Sequence, residues 1–213
     1  MLSFDEVIAT TRAVRRFTAG PVPDEVLGRV LAAGNAAPSG GNTQPWRFLV
    51  VRSEDGRRFL GDTYARCWQR YIEGNALVAG VPPAHIRPRM DASSAGHLAS
   101  HLAEVPVLLL VGMAHREHPL VRTGLPGSDH PVFTTDYASV FPAIQNVLLA
   151  CRAEGLGAVL TTIALLEEAG IKAHFGVPPE VELVALLPIG WPKGRFAAPT
   201  RGDLEQVVHR DVW

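Results

Sequence analysis

Cysteine is scarce in this 213-residue chain: Cys67 and Cys151 stand far apart and in no CxxC arrangement. That usage leaves neither a disulfide framework nor a cysteine-based zinc site to expect, and it favours a reducing cytoplasm. Long hydrophobic runs are missing too. No stretch reaches the roughly 18 uninterrupted apolar residues of a spanning helix, so no membrane partner is expected. The opening MLSFDEVIATTRAVRRF carries acids early and lacks a basic segment followed by an apolar core, which argues against a secretory leader. Excess charge of either sign is absent: Lys and Arg total 20 against 21 Asp and Glu, a formal net charge of -1. No global field therefore draws in nucleic acid or an anionic surface. Basic and aromatic residues are not interleaved, so the usual footprint of a nucleic-acid module is missing as well.

The common catalytic signatures are also absent. There is no GxGxxG, no GxxxxGK[ST], no HExxH and no GxSxG, which argues against a P-loop, a Rossmann fingerprint, a zincin and a hydrolase elbow. The stretch EGLGAVL comes nearest to a dinucleotide motif but lacks its third glycine.

What remains is an ordinary globular composition, 47% hydrophobic and 19% charged, in a chain long enough to bury a sizeable core as one domain over residues 1–213. Ser3 and Glu6 have capping-box spacing, and Phe4, Val7 and Ile8 follow at helical intervals, predicting a helix that ends near Thr11. A second helix opens at PVPDEV, with Asp24 and Glu25 favouring its N-terminus and Gly34 or Asn35 its end. RFLVVR (47–52), VPVLLLVGM (105–113), LGAVLTT (156–162) and VELVALLPIGWP (181–192) read as strands, the second of them central. Residues 57–102 read as helical but broken by Pro82, Pro83 and Pro88, and 114–135 as a surface loop. Helices are predicted over 139–155 and 166–176. The irregular alternation places the fold in the α+β class, with mixed α/β layers around one sheet.

Three stretches carry candidate chemistry. APSGGNTQPWRF (37–48) sets Gly40 and Gly41 in a polar loop just before a strand, where backbone can approach a ligand closely and Trp46 can anchor the loop. Its plain alternative is a turn. TTRAVRRF (10–17) gathers Arg12, Arg15 and Arg16 at a helix end, where they either complement the helix dipole or form an anion site. His115, His118 and His130 invite a metal reading, but with only Glu117 and Asp129 nearby they read better as surface histidines.

In their order along the chain, the R-x-V-R-x-F cluster, the PSGGNxQPW loop and the GLGAVLTT segment resemble the nitroreductase family of FMN-dependent oxidoreductases, especially its short bacterial members. The likeness runs through Arg12–Phe17, Pro38–Trp46, Asp136–Thr162 and Val181–Trp213. It implies a mostly antiparallel sheet flanked by helices, and a homodimer with FMN at the subunit interface. It also implies hydride transfer from NADH or NADPH, through FMN, to a small electron-poor acceptor such as a nitroaromatic or quinone, with ping-pong kinetics. By the same resemblance Arg12 and Ala13 meet the flavin phosphate and ribityl chain, and Arg15 its pyrimidine edge. Pro38, Ser39, Gly40 and Asn42 reach that flavin from the other subunit. Thr161, Thr162 and Ile163 approach its N5 edge, and Arg201 closes on the phosphate. No side chain is expected to act as a nucleophile. Thr11 departs from the pattern, since many members have a basic residue there. The apolar pattern of 139–155 is expected to supply much of the dimer's buried surface. A flavin-degrading enzyme of the dimethylbenzimidazole type and a non-catalytic flavin-binding protein are the alternatives.

Overall fold

Local signals set the helix ends. In the computed structural model, which describes residues 2–114 and 133–213, helix α1 (Phe4–Thr10) is capped by Ser3, whose Oγ accepts from the Glu6 N–H at 3.2 Å. Helix α2 spans Asp24–Asn35, with both predicted acids in its first turn. Helix α3 runs from Glu54 to Ala79, capped by Ser53 and terminated at Gly80, where a φ of 66° suits glycine. Proline breaks the 57–102 region at Pro82 and Pro83, as expected, but not at Pro88. Helix α4 (Pro83–Asp91) carries Pro88 in its interior and continues to Asp91, whose Oδ1 accepts from Trp68 Nε1 at 3.0 Å, tying its end to α3. Helix α5 (Ser94–His101) follows, capped by Ser93.

Four antiparallel strands form one sheet in the order β1-β2-β4-β3. They are β1 (Trp46–Val51), β2 (Val107–Ala114), β3 (Gly157–Ala158) and β4 (Val181–Gly190). The register sets Leu49 opposite Leu110 and Leu110 opposite Leu186. Side chains alternate across β2, so its apolar run feeds two cores. Val107, Leu109, Val111 and Met113 pack toward α2 and helix α6 (Phe133–Ala153). Leu108 and Leu110 pack with Leu60, Tyr64 and Trp68 of α3, Leu98 of α5, and Ile171 of helix α7 (Glu168–Phe175).

Two expectations need correction. The 114–135 loop reading extends too far, because α6 already begins at Phe133; Asp136 in its first turn favours that start. Residues 115–132, with His115, His118 and His130, lie outside the described residues. LGAVLTT is a strand only at Gly157–Ala158. Beyond it the chain leaves the ladder for a 3-10 turn at Ile163–Glu167, keeping one isolated bridge from Thr161 to Leu186. Helix α6 buries Val140, Ile144, Val147 and Cys151 inside its own chain, and among its large hydrophobics only Phe141 is markedly exposed, counting residues whose side chains are described.

Both thiols are enclosed. Burial pushes Cys67 up from its ordinary pKa, and pushes Cys151 up to about 12. Since the thiolate is the reacting species, neither should titrate with a disulfide reagent at pH 8 while the protein is folded. Both should react once it is unfolded in denaturant. Rapid modification of the native protein would contradict this placement.

Candidate functional site

The residues after α1 are laid along the sheet's end by backbone pairing. Val14 N–H donates to Ala158 O at 3.0 Å, and Thr18 N–H donates to Trp191 O at 2.8 Å. Ala13 bridges Ala158 in parallel fashion and Phe17 bridges Pro192. Gly157 permits this close approach: a Cβ there would lie 2.6 Å from Val14 Cγ1. The segment is thus held against β3 while its arginines face outward.

Arg12 and Arg15 face a cleft of about 550 Å³. Arg12, Ala13, Arg15 and Arg201, four of the sequence-predicted residues, line it together. Its apolar wall is built from Leu148 and Leu149 of α6 and from Leu156, Ala158, Val159 and Leu160 around β3. Among the described residues, no Asp, Glu or His lines it, whereas four arginines do. The fourth is Arg152, which sequence reasoning missed. It is the lone cation in the apolar run NVLLACRAEG, and that solitary charge is the signal that could have found it.

Arg15 is half-buried, and its Nη1 donates to Ser94 Oγ at 3.5 Å. Behind it lies a smaller hollow with Phe17, His97, His101, Glu104 and Lys193. The two histidine rings stack with centroids 4.0 Å apart. Burial, then the charge of His101, holds His97 below its ordinary pKa. Ser94 and this histidine pair were not legible in advance, because α5 meets residue 15 only through the fold.

Thr161, Thr162 and Ile163 continue directly from the lining residue Leu160. Thr161 is fixed on both sides: its N–H and C=O pair with Leu186 at 3.0 and 2.9 Å, and its Oγ1 lies 3.0 Å from the Tyr64 hydroxyl. Tyr64 is 2% exposed, and burial raises its pKa. Thr162 is exposed and Ile163 half-buried.

The glycine loop sits elsewhere. Trp46 is buried as expected, and its Nε1 donates to Asn35 Oδ1 at 3.0 Å. Gly40 N–H donates to Ser139 Oγ of α6 at 3.2 Å, and Gln44 N–H to Ser39 Oγ at 3.0 Å. Gly41 and Asn42 both have positive φ, 57° and 54°, which shapes a tight polar protrusion. Pro38, Gly40 and Asn42 are exposed, and none of the four predicted loop residues lines the arginine cleft of its own chain. Among the described residues, no three His, Cys, Asp or Glu gather as a metal site, and no helix is long and apolar enough to cross a membrane.

A four-stranded antiparallel sheet between helical layers, with an arginine-rich cleft at the end of its short strand, defines an α+β protein with a basic, ligand-sized site. The chain belongs to the Nitroreductase family, whose model matches residues 8–191. It is 34% identical to the 5,6-dimethylbenzimidazole synthase of Rhodospirillum rubrum over 208 residues, covering 95% of this chain and 87% of that one. Among solved structures it is similar to an oxidised iodotyrosine deiodinase bound to FMN and 3-iodo-L-tyrosine, with a TM-score of 0.73, 25% identity and 98% of each chain covered. A BluB-like flavoprotein from Clostridium difficile 630 shares the fold, with a TM-score of 0.78, 23% identity and 99% of each chain covered.

Proposed function

We propose that this chain is an FMN-dependent oxidoreductase that passes a hydride from NADH or NADPH to an electron-poor small molecule, such as a nitroaromatic or a quinone. The observation that carries the reading is the cleft itself: among the described residues its lining has four arginines and no carboxylate, beside an apolar wall. Its volume falls within the roughly 300–1,000 Å³ of cofactor sites. A ligand with an anionic end and a flat, weakly polar ring system fits that division, as FMN does.

Bound FMN would supply the hydride-carrying chemistry, leaving placement and electrostatics to the protein. Arg12 and Arg201 offer forked donors to a phosphate. Ala13 leaves room for the ribityl chain. Arg15 offers a fixed cation to the pyrimidine edge, where negative charge grows on reduction. Thr161, Thr162 and Ile163 border the wall where the N5 edge would lie, and the Thr161–Leu186 pairing keeps that border rigid. No residue need act as a nucleophile.

A 5,6-dimethylbenzimidazole synthase is the second reading, favoured by the Rhodospirillum rubrum relative. Breaking up a flavin ring demands several proton transfers, which positioned acids and bases accelerate. Among the described residues the cleft lining holds no Asp, Glu or His, which favours the reductase. Anaerobic titration with each nicotinamide decides the matter. Bleaching of the flavin band, recovery on adding a quinone, and parallel double-reciprocal lines are the expected results. A yellow protein that neither nicotinamide bleaches would be a flavin-binding protein only. Oxygen-dependent conversion of reduced FMN to dimethylbenzimidazole would establish the second reading.

The proposed active unit is a homodimer: the family resemblance brings the Pro38–Asn42 loop to the flavin, and since that loop does not line the cleft of its own chain, a second copy is the proposed source. Exposed apolar side chains mark a surface for it: Phe4 and Ile8 on α1, with Leu204, Val207, Val212 and Trp213 near the C-terminus. Sedimentation at micromolar protein should show two chains per particle. A monomer holding one FMN would refute this arrangement.

A further inference from the structure

The cleft's four arginines are not equivalent. Arg12 and Arg201 are exposed, and the Arg201 Nη1 donates only to the neighbouring Thr200 O, at 3.0 Å. Fixing such long, solvated side chains on an anion costs rotamer entropy. Arg152 has already lost that freedom. Its side chain is 10% exposed, its Nε donates to Thr10 Oγ1 at 2.8 Å, and the Phe196 ring covers its guanidinium at 4.1 Å.

Those contacts leave the outer end of the fork available. Among the described residues the Nη nitrogens make no hydrogen bond, and the nearest carboxylate, Glu6 Oε1, is 3.8 Å from Nη2. Glu6 is half-exposed and can turn to solvent. Arg152 shares its helical face with Gln145, Leu148 and Leu149, all of which line the cleft. A buried, pre-positioned cation with unused donors facing a ligand-sized cleft is more than a helix-end charge. Thr11, also in the lining, supplies no cation of its own.

We propose that Arg152 is the fixed phosphate-binding cation of this site, donating its Nη N–H groups to the terminal phosphate of FMN. The inference rests on the FMN reading above and assigns a role to a residue outside the motifs that led to it. In this arrangement Thr10 and Phe196 are positioning residues for the fork, and Phe196 also leads the chain toward Arg201.

The test compares FMN with riboflavin, which has the same ring and ribityl chain but no phosphate. Dissociation constants are measured by fluorescence quenching on wild-type apoprotein, Arg152→Gln, Arg152→Lys and Thr11→Arg/Arg152→Gln. Wild type should prefer FMN. Arg152→Gln should weaken FMN about ten- to a hundred-fold, the usual span for a charge-assisted hydrogen bond, and leave riboflavin within about two-fold. Thr11→Arg should restore part of the lost preference in the double variant. Equal weakening of both ligands, or of neither, would reduce Arg152 to a structural tether between α1 and α6 and overturn the proposal. Arg152→Lys keeps the charge and should retain most of the preference for FMN. If Arg152→Gln does not fold, Arg152→Met, which keeps a long stem without the charge, decides, and an unchanged FMN-to-riboflavin ratio there would overturn the proposal. Wild type that binds both ligands equally would refute phosphate recognition while leaving the flavin reading standing. Wild type that binds neither would refute both.

Discussion

Arg15→Ala should weaken the binding of reduced FMN about ten- to a hundred-fold, while unfolding of the apoprotein stays nearly unchanged. The expected loss is that of one hydrogen bond to a charged group, about 1.5–3 kcal/mol, and about 1.4 kcal/mol is tenfold in an equilibrium constant. Little stability is at stake. Arg15 is only half-buried, lies beyond the end of α1, and makes one long hydrogen bond, 3.5 Å, to Ser94. The loss should be larger for reduced than for oxidised FMN, because negative charge at the pyrimidine edge grows on reduction. The bound flavin's midpoint potential should therefore fall. Arg16→Ala is the control, since Arg16 is exposed and does not line the cleft. Equal FMN affinities, potentials and turnover in the two variants would return the cluster to a solvated helix end.

Gly157→Ala should impair flavin binding by displacing the segment that carries three of the site's residues. The added Cβ would lie 2.6 and 2.8 Å from Val14 Cγ1 and Cβ, closer than real contacts allow. Overpacking of this kind costs about 1–3 kcal/mol. Here the strain falls on the backbone pairing of Val14 with Ala158, which holds Arg12, Ala13 and Arg15 over the cleft. FMN affinity should drop at least tenfold, with a modest fall in melting temperature. Val14→Ala in the same chain removes the obstructing methyl groups and should recover most of the affinity. A double variant no better than Gly157→Ala alone would mean that the segment does not depend on this contact.

How much could be read in advance depended on how local each cause was. The Ser3 cap, the acids opening α2 and the apolar run of β2 act within a few residues, and each gave its element nearly to the residue. Pro88 misled: the helix runs through it, and the bond that ties its end comes from Trp68 on another helix. LGAVLTT has the composition of a strand, but how much of it pairs depends on where β4 lies and on the turn at Ile163. The site divides the same way. Arg12, Ala13 and Arg15 sit in a recognisable motif, and Arg201 in the C-terminal likeness. Arg152 and Ser94 reach the cleft or its edge only because α6 and α5 are folded beside it.

The strand order has a further consequence, for how the chain must fold. No two neighbouring strands form a tight hairpin: α3, α4 and α5 separate β1 from β2, α6 and β3 separate β2 from β4, and α7 separates β3 from β4. Every ladder must therefore close a long loop before its contacts contribute, which places the chain among slow, high-contact-order folders. Meanwhile β2, buried along nearly its whole length in the native state, waits as an unpaired apolar segment between two partners distant in sequence. Refolding from denaturant should be limited by that wait, and its yield should fall as protein concentration rises, because intermolecular pairing of this strand competes with closure of the sheet.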